Sequence, residues 1–309
     1  MTATHSRRRF DVATRTLSFE SEGTQCRGRL YLPDRPATPP VVVCAPDIAA
    51  EQTFGYSAYA ERFAQAGYAA FVFDYRGFGE SDDADPVGWF GGETHHFVDP
   101  AAQVADLQAA IDRVARLDGE RRRVALWGYG LGGGHAIRVA ANRRVDTVVA
   151  VAPFLDGRAF ARARSPRYLA RATCAGVRDR LATAVGRSHT VPVVGGRDEF
   201  GLLPRPTGDA YLDCVPRTSD WRNQTPARSL LALLRYRPLA DAADVSSPTL
   251  LLAADDDDVA PPDAVTAAAD RIDRSTYVRL PVGHVDPLDR AFEASVAHQL
   301  AFLDDALGD

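Results

Sequence analysis

The sequence LWGYGLGGGH occupies residues 126–135, and it decides the fold of this chain. The apolar run Arg123–Trp127 leads into it and has the pattern of a β-strand that is buried on both faces. Beyond the glycine cluster, Gly134–Asn142 has the pattern of an α-helix. A buried strand, a glycine-rich turn and a helix in direct succession predict a parallel β-sheet covered by helices.

The same alternation of strands and helices extends along the rest of the chain. An opening hairpin is predicted at Thr16–Glu20 and Arg27–Leu32, further strands at Val41–Ala45, Ala69–Phe73, Thr147–Val151, Thr249–Ala253 and Thr276–Leu280, and helices at Ser57–Ala66, Ala101–Leu117, Pro262–Arg271 and Arg290–Leu307. The alternation breaks between about Pro153 and Tyr236, where helical stretches and prolines replace strands. No repeat or low-complexity linker occurs, so we expect a single α/β domain, residues 1–309, with an inserted helical lid over roughly residues 155–235.

Composition and charge exclude several classes of protein. The chain has 309 residues and a formal net charge of −5, so it offers no basic surface for nucleic acid. Its four cysteines form no CxxC pair, which argues against a metal site and a disulfide framework. No apolar run approaches the roughly 20 residues that span a membrane, and we find no signal peptide. We therefore expect a cytoplasmic protein with a small-molecule substrate, no metal and no cofactor.

The glycine cluster fits two different motifs. Gly128, Gly130 and Gly133 form a G-x-G-x-x-G, as in dinucleotide-binding proteins, with Asp156 as a candidate for the ribose-binding acid. That motif belongs to the first βα unit of such folds, whereas at least two buried strands precede it here. The cluster also fits G-x-S-x-G, the turn that lifts a nucleophilic serine above a sheet, with Gly130 at the serine position.

Three other segments favour the second motif. DYRGFGES at 74–81 resembles the D-x-R-G-x-G-x-S segment of α/β-hydrolases, four acids at 255–258 follow a strand, and Gly283-His284 follows the last strand. Together they resemble the α/β-hydrolase superfamily over almost the whole chain. PFLDG at 153–157 and an elbow similar to LWGTSxxGGH resemble its lidded acetyl-xylan-esterase-like and dipeptidyl-peptidase-like bacterial members. The resemblance implies a mostly parallel sheet of about eight strands with helices on both faces.

The resemblance also implies roles for individual residues. His284 corresponds to the catalytic histidine, and the D-x-x-x-P spacing before Pro261 selects Asp257 as the acid that orients it, with Asp256 and Asp258 as alternatives. The backbone N–H groups of Ile48 and Leu131 correspond to the oxyanion hole.

Two departures from the family pattern bear on the chemistry. Gly130 has no side chain with which to attack a substrate. The usual His-Gly after the first central strand is replaced by Pro46-Asp47, and a carboxylate there opposes an accumulating anion unless it points away or is protonated. Two changes at separate catalytic elements indicate a natural change of chemistry or its loss. We also consider Asp47, Tyr129, His95 and His96 as substrate contacts, and expect His135 to pack structurally.

The leading hypothesis is a cofactor-free lyase or cyclase that acts on a small organic substrate. His284, oriented by Asp257, would remove a proton, and the oxyanion hole would stabilise an enolate. The resemblance extends to polyketide-pathway members that eliminate acetate. The alternatives are a serine esterase, thioesterase or peptidase whose serine was changed to Gly130 naturally or by design, a ligand-binding homologue without catalysis, and an NAD enzyme. The sequence does not identify the substrate, and it does not show whether the protein forms a homodimer.

Overall fold

The computed structural model describes residues 9–83, 94–196, 200–203, 205 and 207–308. Its strands are β1 (Val12–Ser21), β2 (Thr24–Pro33), β3 (Val41–Ala45), β4 (Ala69–Phe73), β5 (Val124–Tyr129), β6 (Thr147–Val151), β7 (Thr190–Val191), β8 (Thr225–Pro226), β9 (Thr249–Ala254) and β10 (Ser275–Leu280). Its helices are α1 (Tyr56–Gln65), α2 (Pro100–Val114), α3 (Leu131–Asn142), α4 (Gly157–Arg162), α5 (Pro166–Thr183), α6 (Thr207–Asp213), α7 (Arg228–Arg235), α8 (Pro262–Ala269) and α9 (Phe292–Leu307).

Eight of the strands form one sheet in the order β1-β2-β4-β3-β5-β6-β9-β10. The pairs β1–β2 and β2–β4 are antiparallel, and the remaining pairs are parallel. The five central strands β3, β4, β5, β6 and β9 are buried along their whole length, as expected of apolar strands covered on both faces. The prediction of a mostly parallel, eight-stranded α/β sheet is confirmed.

The segment between β6 and β9 contains α4 to α7 and the separate β7–β8 pair. Most of its regular structure is helical. That residues 155–235 act as a lid within one domain stays a prediction. Within the described residues, no helix is long and apolar enough to cross a bilayer.

The glycines at the start of α3 explain why the first residue of this helix was predicted wrongly. The helix was predicted to begin at Gly134, because glycine has a low helix propensity, but it begins at Leu131. A Cβ on Gly132 would overlap the carbonyl oxygen of Ala45 at the end of β3. The close approach of α3 to the sheet therefore requires glycine at this position. The same packing keeps the first turn helical, although glycine has a low intrinsic helix propensity.

Asp74, which follows β4, ties two loops together at the carboxyl end of the sheet. Its carboxylate accepts hydrogen bonds from the backbone N–H of Gln52 at 2.6 Å, from the Gln52 side chain at 2.7 Å and from the N–H of Glu80 at 3.0 Å. Burial raises the pKa of Asp74 to about 7, against these hydrogen bonds, which lower it. The loop after β3 is thereby fixed to the loop after β4.

Arg76 and Asp106 form a second tie, between the loop after β4 and helix α2. The guanidinium Nε and Nη2 donate to Asp106 Oδ1 at 2.8 and 2.6 Å, and the backbone N–H of Arg76 donates to Oδ2 at 3.0 Å. The Asp106 side chain is fully buried, whereas that of Arg76 is 13% exposed. Removing Asp106 would leave Arg76 with only the exposed carboxylate of Glu22, 3.1 Å from its Nη1.

We expect Asp106→Ala to lower the free energy of unfolding by about 3 kcal/mol, near the lower end for a broken buried pair because Arg76 keeps some contact with water. Guanidinium denaturation measures this change. Asp112→Ala is the matched control on the same helix, since Asp112 pairs with Arg143 at the surface and its loss has little effect. Equal effects of the two substitutions would contradict the prediction.

Candidate active site

The turn between β5 and α3 places Gly130 at its tip. Gly130 has φ 50° and ψ −116°, a conformation that favours glycine. Its N–H donates to the carbonyl of Val151 at 3.0 Å, and its own carbonyl accepts the N–H of Phe154 at 2.8 Å. The turn is therefore anchored to the end of β6 and has the strand–turn–helix form of a nucleophile elbow.

Asp47 occupies the space that a side chain at Gly130 would need. A Cβ built on Gly130 would overlap Oδ1 and Cγ of Asp47. Asp47 lies just after β3, whose Ala45 pairs with Gly128 of β5, so the two loops leave the sheet side by side. Its Oδ1 accepts the N–H of Leu131 at 2.6 Å. The sequence led us to expect that this N–H is available to an oxyanion, but Asp47 occupies it.

His284 lies between two carboxylates. Its Nδ1 is 2.6 Å from Asp257 Oδ2, and its Nε2 is 3.0 Å from Asp47 Oδ2. The other oxygen of Asp257 accepts the N–H groups of Val259 and Ala260 at 2.8 and 2.7 Å. The side chains of Asp47, His284 and Asp257 are at most 4% exposed. The three groups form a continuous buried chain, Asp47–His284–Asp257.

The structure distinguishes among the three acids that the sequence left open. Asp257 contacts His284, as the D-x-x-x-P spacing predicts. The carboxylate of Asp258 instead accepts the hydroxyl of Thr207 in α6. The backbone N–H of Asp256 bonds to the carbonyl of Val282, which joins the acid loop to the histidine loop.

The two carboxylates control the charge of His284. Burial alone lowers the pKa of His284, but the charge and hydrogen bond of Asp257 and then those of Asp47 outweigh it, so the pKa is raised well above its usual value. His284 is therefore an imidazolium at neutral pH, and both its ring N–H groups donate to carboxylates. Both ring nitrogens of His284 are engaged by carboxylates, and its role as the base that takes a proton from the substrate stays a prediction.

Tyr129 supports the histidine loop from below. It is fully buried, its hydroxyl donates to the carbonyl oxygen of His284, and its ring packs edge-on against the imidazole at 5.8 Å. Sequence reasoning considered Tyr129 as a substrate contact, but these contacts hold His284 in place.

The two neighbouring histidines differ from each other. His95 is exposed and lies 3.0 Å from Asp83, which is a surface pair. His96 is buried, stacks flat on Phe78 at 5.2 Å, and has its Nε2 4.0 Å from Glu51. Burial lowers the pKa of His96 to about 4, so its ring is neutral at pH 7. Neither histidine touches the Asp47–His284–Asp257 chain.

The remaining sequence candidates have structural contacts. His135 is fully buried between the Tyr236 hydroxyl at 2.7 Å and the Gln103 side chain at 3.2 Å, which accounts for it as a packing residue. Asp156, the candidate ribose-binding acid, caps α4 by accepting the N–H of Arg158 at 2.7 Å. No group of three or more His, Cys, Asp or Glu side chains suited to a metal occurs in the described part of the chain.

The fold and the elbow define this chain as an α/β-hydrolase-fold protein. Residues 41–281 match the family model described as "Serine aminopeptidase, S33", and the chain belongs to this family. The chain is 30% identical to the quorum-quenching protein AidA of Acinetobacter baumannii over 292 residues, which cover 93% of each protein. It is 25% identical to the thiohydrolase aneE of Aspergillus aculeatus over 313 residues, covering 93% of this chain and 91% of that one.

Solved structures share the same fold. The α/β-hydrolase GrgF from Penicillium sp. sh18 superposes with a TM-score of 0.80 at 19% identity, covering 96% of this chain and all of that chain. At this identity the likeness concerns the fold alone.

The charge state of His284 is directly testable. Because the folded pKa of His284 is raised, its contribution to stability is complete below 6.5, the usual pKa of histidine, and is lost as pH rises through the folded pKa. We expect ¹⁵N NMR of the ring nitrogens to show an imidazolium at pH 8. Asp47→Asn removes one carboxylate and lowers the titration midpoint of His284. A neutral ring at pH 7 in the unaltered protein would refute this assignment.

Restoring the serine alone should not restore a serine hydrolase. We expect Gly130→Ser to remain inactive on p-nitrophenyl acetate, because the new side chain overlaps the Asp47 carboxylate. Gly130→Ser combined with Asp47→Gly clears that space and frees the Leu131 N–H, and should raise acetyl-ester hydrolysis at least about tenfold above the single variant. Full activity of the single variant would mean that Asp47 moves aside at little cost.

Proposed function

We propose that this protein is a cofactor-free proton-transfer enzyme, a lyase or cyclase, in which Asp47 is the base. The observation that carries the proposal is the Asp47 carboxylate at the place of the missing nucleophile. A serine at this place needs a neighbouring base to activate it, whereas a carboxylate can itself accept a proton from a substrate. His284 already carries its proton, so Asp47 is the member of the chain that takes a proton from the substrate.

The N–H of Ile48 is the candidate donor for a substrate oxygen. Leu131 N–H is bonded to Asp47, whereas no described residue accepts the N–H of Ile48. Asp47 and Ile48 are adjacent in sequence, so the base and this donor belong to one loop. A carbonyl oxygen bound at Ile48 N–H would become an enolate as the neighbouring carbon loses its proton.

The reaction balances without a cofactor. Asp47 takes the proton from the carbon next to the carbonyl, and the electrons of that C–H bond form the enolate. Collapse of the enolate either expels a leaving group from the next carbon as an anion, such as acetate, or attacks a second electrophile to close a ring. The proton then leaves Asp47 with the product or to water.

Charges near the site favour a neutral substrate. A cavity of about 280 Å³ borders the loop after His284 and helix α6. Its lining includes Asp213, Asp289 and Asp286, of which Asp286 is paired with Arg290. The Asp47–His284–Asp257 chain itself contains two carboxyl groups and one imidazole. We place the approach of the substrate at this cavity, where a neutral ketone or ester would enter more readily than a carboxylate and an anionic product would be repelled.

The relatives support a carbonyl substrate. The family description names a serine aminopeptidase, and two relatives are named thiohydrolase aneE and thiohydrolase apmlB, so all three names refer to hydrolysis. Hydrolysis is therefore the second candidate function. In this alternative the Asp47 carboxylate would attack an acyl group or activate water through Oδ2, which contacts His284, while Leu131 N–H anchors Oδ1. A serine mechanism is disfavoured because Asp47 fills the serine's space.

The test uses 4-acetoxy-2-butanone, a neutral ketone with acetate on the carbon two positions from its carbonyl. Turnover is followed in H₂¹⁸O, with a buffer blank subtracted. We expect release of but-3-en-2-one and of acetate without ¹⁸O, since elimination does not break the acyl–oxygen bond. Asp47→Asn should lower this rate at least about 100-fold, as loss of a general base does. Asp112→Asn on the surface of α2 is the matched control and should retain the rate.

Acetate that carries ¹⁸O would instead assign hydrolysis and overturn the lyase proposal. A rate that does not respond to Asp47→Asn would show that Asp47 is not the base.

A further inference from the structure

The main chain around Asp47 is held by the polar ends of three aromatic side chains. The N–H of Asp47 donates to the Tyr56 hydroxyl at 3.1 Å. The Tyr211 hydroxyl donates to the carbonyl of Ile48 at 2.8 Å, and the indole Nε1–H of Trp221 donates to the carbonyl of Ala49 at 2.9 Å. Three consecutive residues therefore each have one backbone group bound by an aromatic side chain.

This loop has a conformation that needs such support. Ala49 has φ 55°, in the left-handed region that a residue with a Cβ rarely adopts. The carbonyl of Asp47 accepts the N–H of Ala50 at 3.1 Å, which closes a tight turn. Sparsely populated conformations of this kind persist only where the surroundings hold them. The turn leaves the N–H of Ile48 without a described acceptor, whereas the N–H of Asp47 and the carbonyls of Asp47, Ile48 and Ala49 are bound.

Tyr211 and Trp221 belong to one segment that lies across the loop. Tyr211 is in α6 and is 4% exposed. Both rings pack edge-on against Phe54, at 5.9 and 5.7 Å between ring centres, and lie 6.1 Å from each other. Ser219 of the same segment donates its hydroxyl to Glu51 at 3.0 Å. The segment thus reaches the loop through both packing and directed hydrogen bonds.

We propose that Tyr211 and Trp221 are positioning residues for the Asp47–Ile48 loop. Their hydrogen bonds keep the Asp47 carboxylate in the elbow against His284 and keep the Ile48 N–H turned to the substrate. The effect of these residues on catalysis rests on the proposed function. Their effect on the position of the Asp47 carboxylate does not depend on any reaction. The hydrogen-bonding end of each ring is what matters, since a phenyl ring would supply similar packing alone.

The test separates the hydrogen bonds from the packing. Tyr211→Phe and Trp221→Phe each remove one donor and keep an aromatic ring. The readout is the ¹⁵N NMR titration of the His284 ring, which reports its contact with Asp47 and needs no substrate. We expect each variant to lower the titration midpoint of His284 by at least about one pH unit, because Asp47 withdraws from it. The double variant should show a larger effect.

Tyr168→Phe is the matched control. Tyr168, in α5, donates its hydroxyl to the carbonyl of Gly201 at 3.1 Å and makes no contact with the Asp47 loop. It should reduce thermal stability to a similar extent and leave the His284 titration unchanged. If the double Tyr211→Phe, Trp221→Phe variant folds and titrates His284 as the unaltered protein does, the proposal is wrong.

The same variants distinguish this inference from the proposed function. With 4-acetoxy-2-butanone, loss of positioning should lower kcat about tenfold or more with little change in KM. If the unaltered protein does not eliminate acetate, yet the His284 titration moves in the variants, the lyase proposal fails and the positioning role stands.

Discussion

The pairing of one imidazolium with two carboxylates is the interaction on which this site depends. Buried charges are costly unless hydrogen bonds satisfy them. Here His284 donates from both ring nitrogens, and the outer oxygens of Asp47 and Asp257 accept backbone N–H groups. Those donors come from the ends of parallel strands that meet at one edge of the sheet. The sheet therefore places the backbone N–H groups that satisfy the buried carboxyl oxygens.

A carboxylate in place of a hydroxyl changes what the elbow can do. A serine must lose a proton before it attacks, and the free N–H groups around it then stabilise the oxyanion. Asp47 instead accepts the Leu131 N–H with its carboxylate. A donor that a hydrolase would use for its oxyanion is thus already bonded in the resting site. Chemistry that consumes negative charge at Asp47, such as proton uptake from carbon, fits this arrangement better than chemistry that adds more.

The sequence contained both departures from the hydrolase pattern but not their relation. The glycine at position 130 and the acid at position 47 were recognised as separate departures. The structure relates them, since the Asp47 carboxyl fills the space that a side chain at position 130 would need. The sequence does not show this relation, because the two positions are far apart in the chain. The loops after β3 and β5 are adjacent only because these strands are neighbours in the sheet. The contacts of Tyr211 and Trp221 with the Asp47 loop could not be predicted for the same reason. The positions of these two residues in the sequence give no information about a loop far earlier in the chain.

The sequence by itself determined the sheet, the elbow and which acid contacts His284, namely Asp257. A continuous apolar run predicts a central strand, because such a strand is covered on both faces by other apolar residues. A short motif that directly follows a strand lies at the carboxyl edge of the sheet, wherever the rest of the chain goes. What only the tertiary structure decided is where Asp47 points, and hence whether Leu131 N–H is free and whether His284 can act as a base. A loop side chain takes its direction from contacts with residues remote in sequence, and no local pattern encodes those contacts.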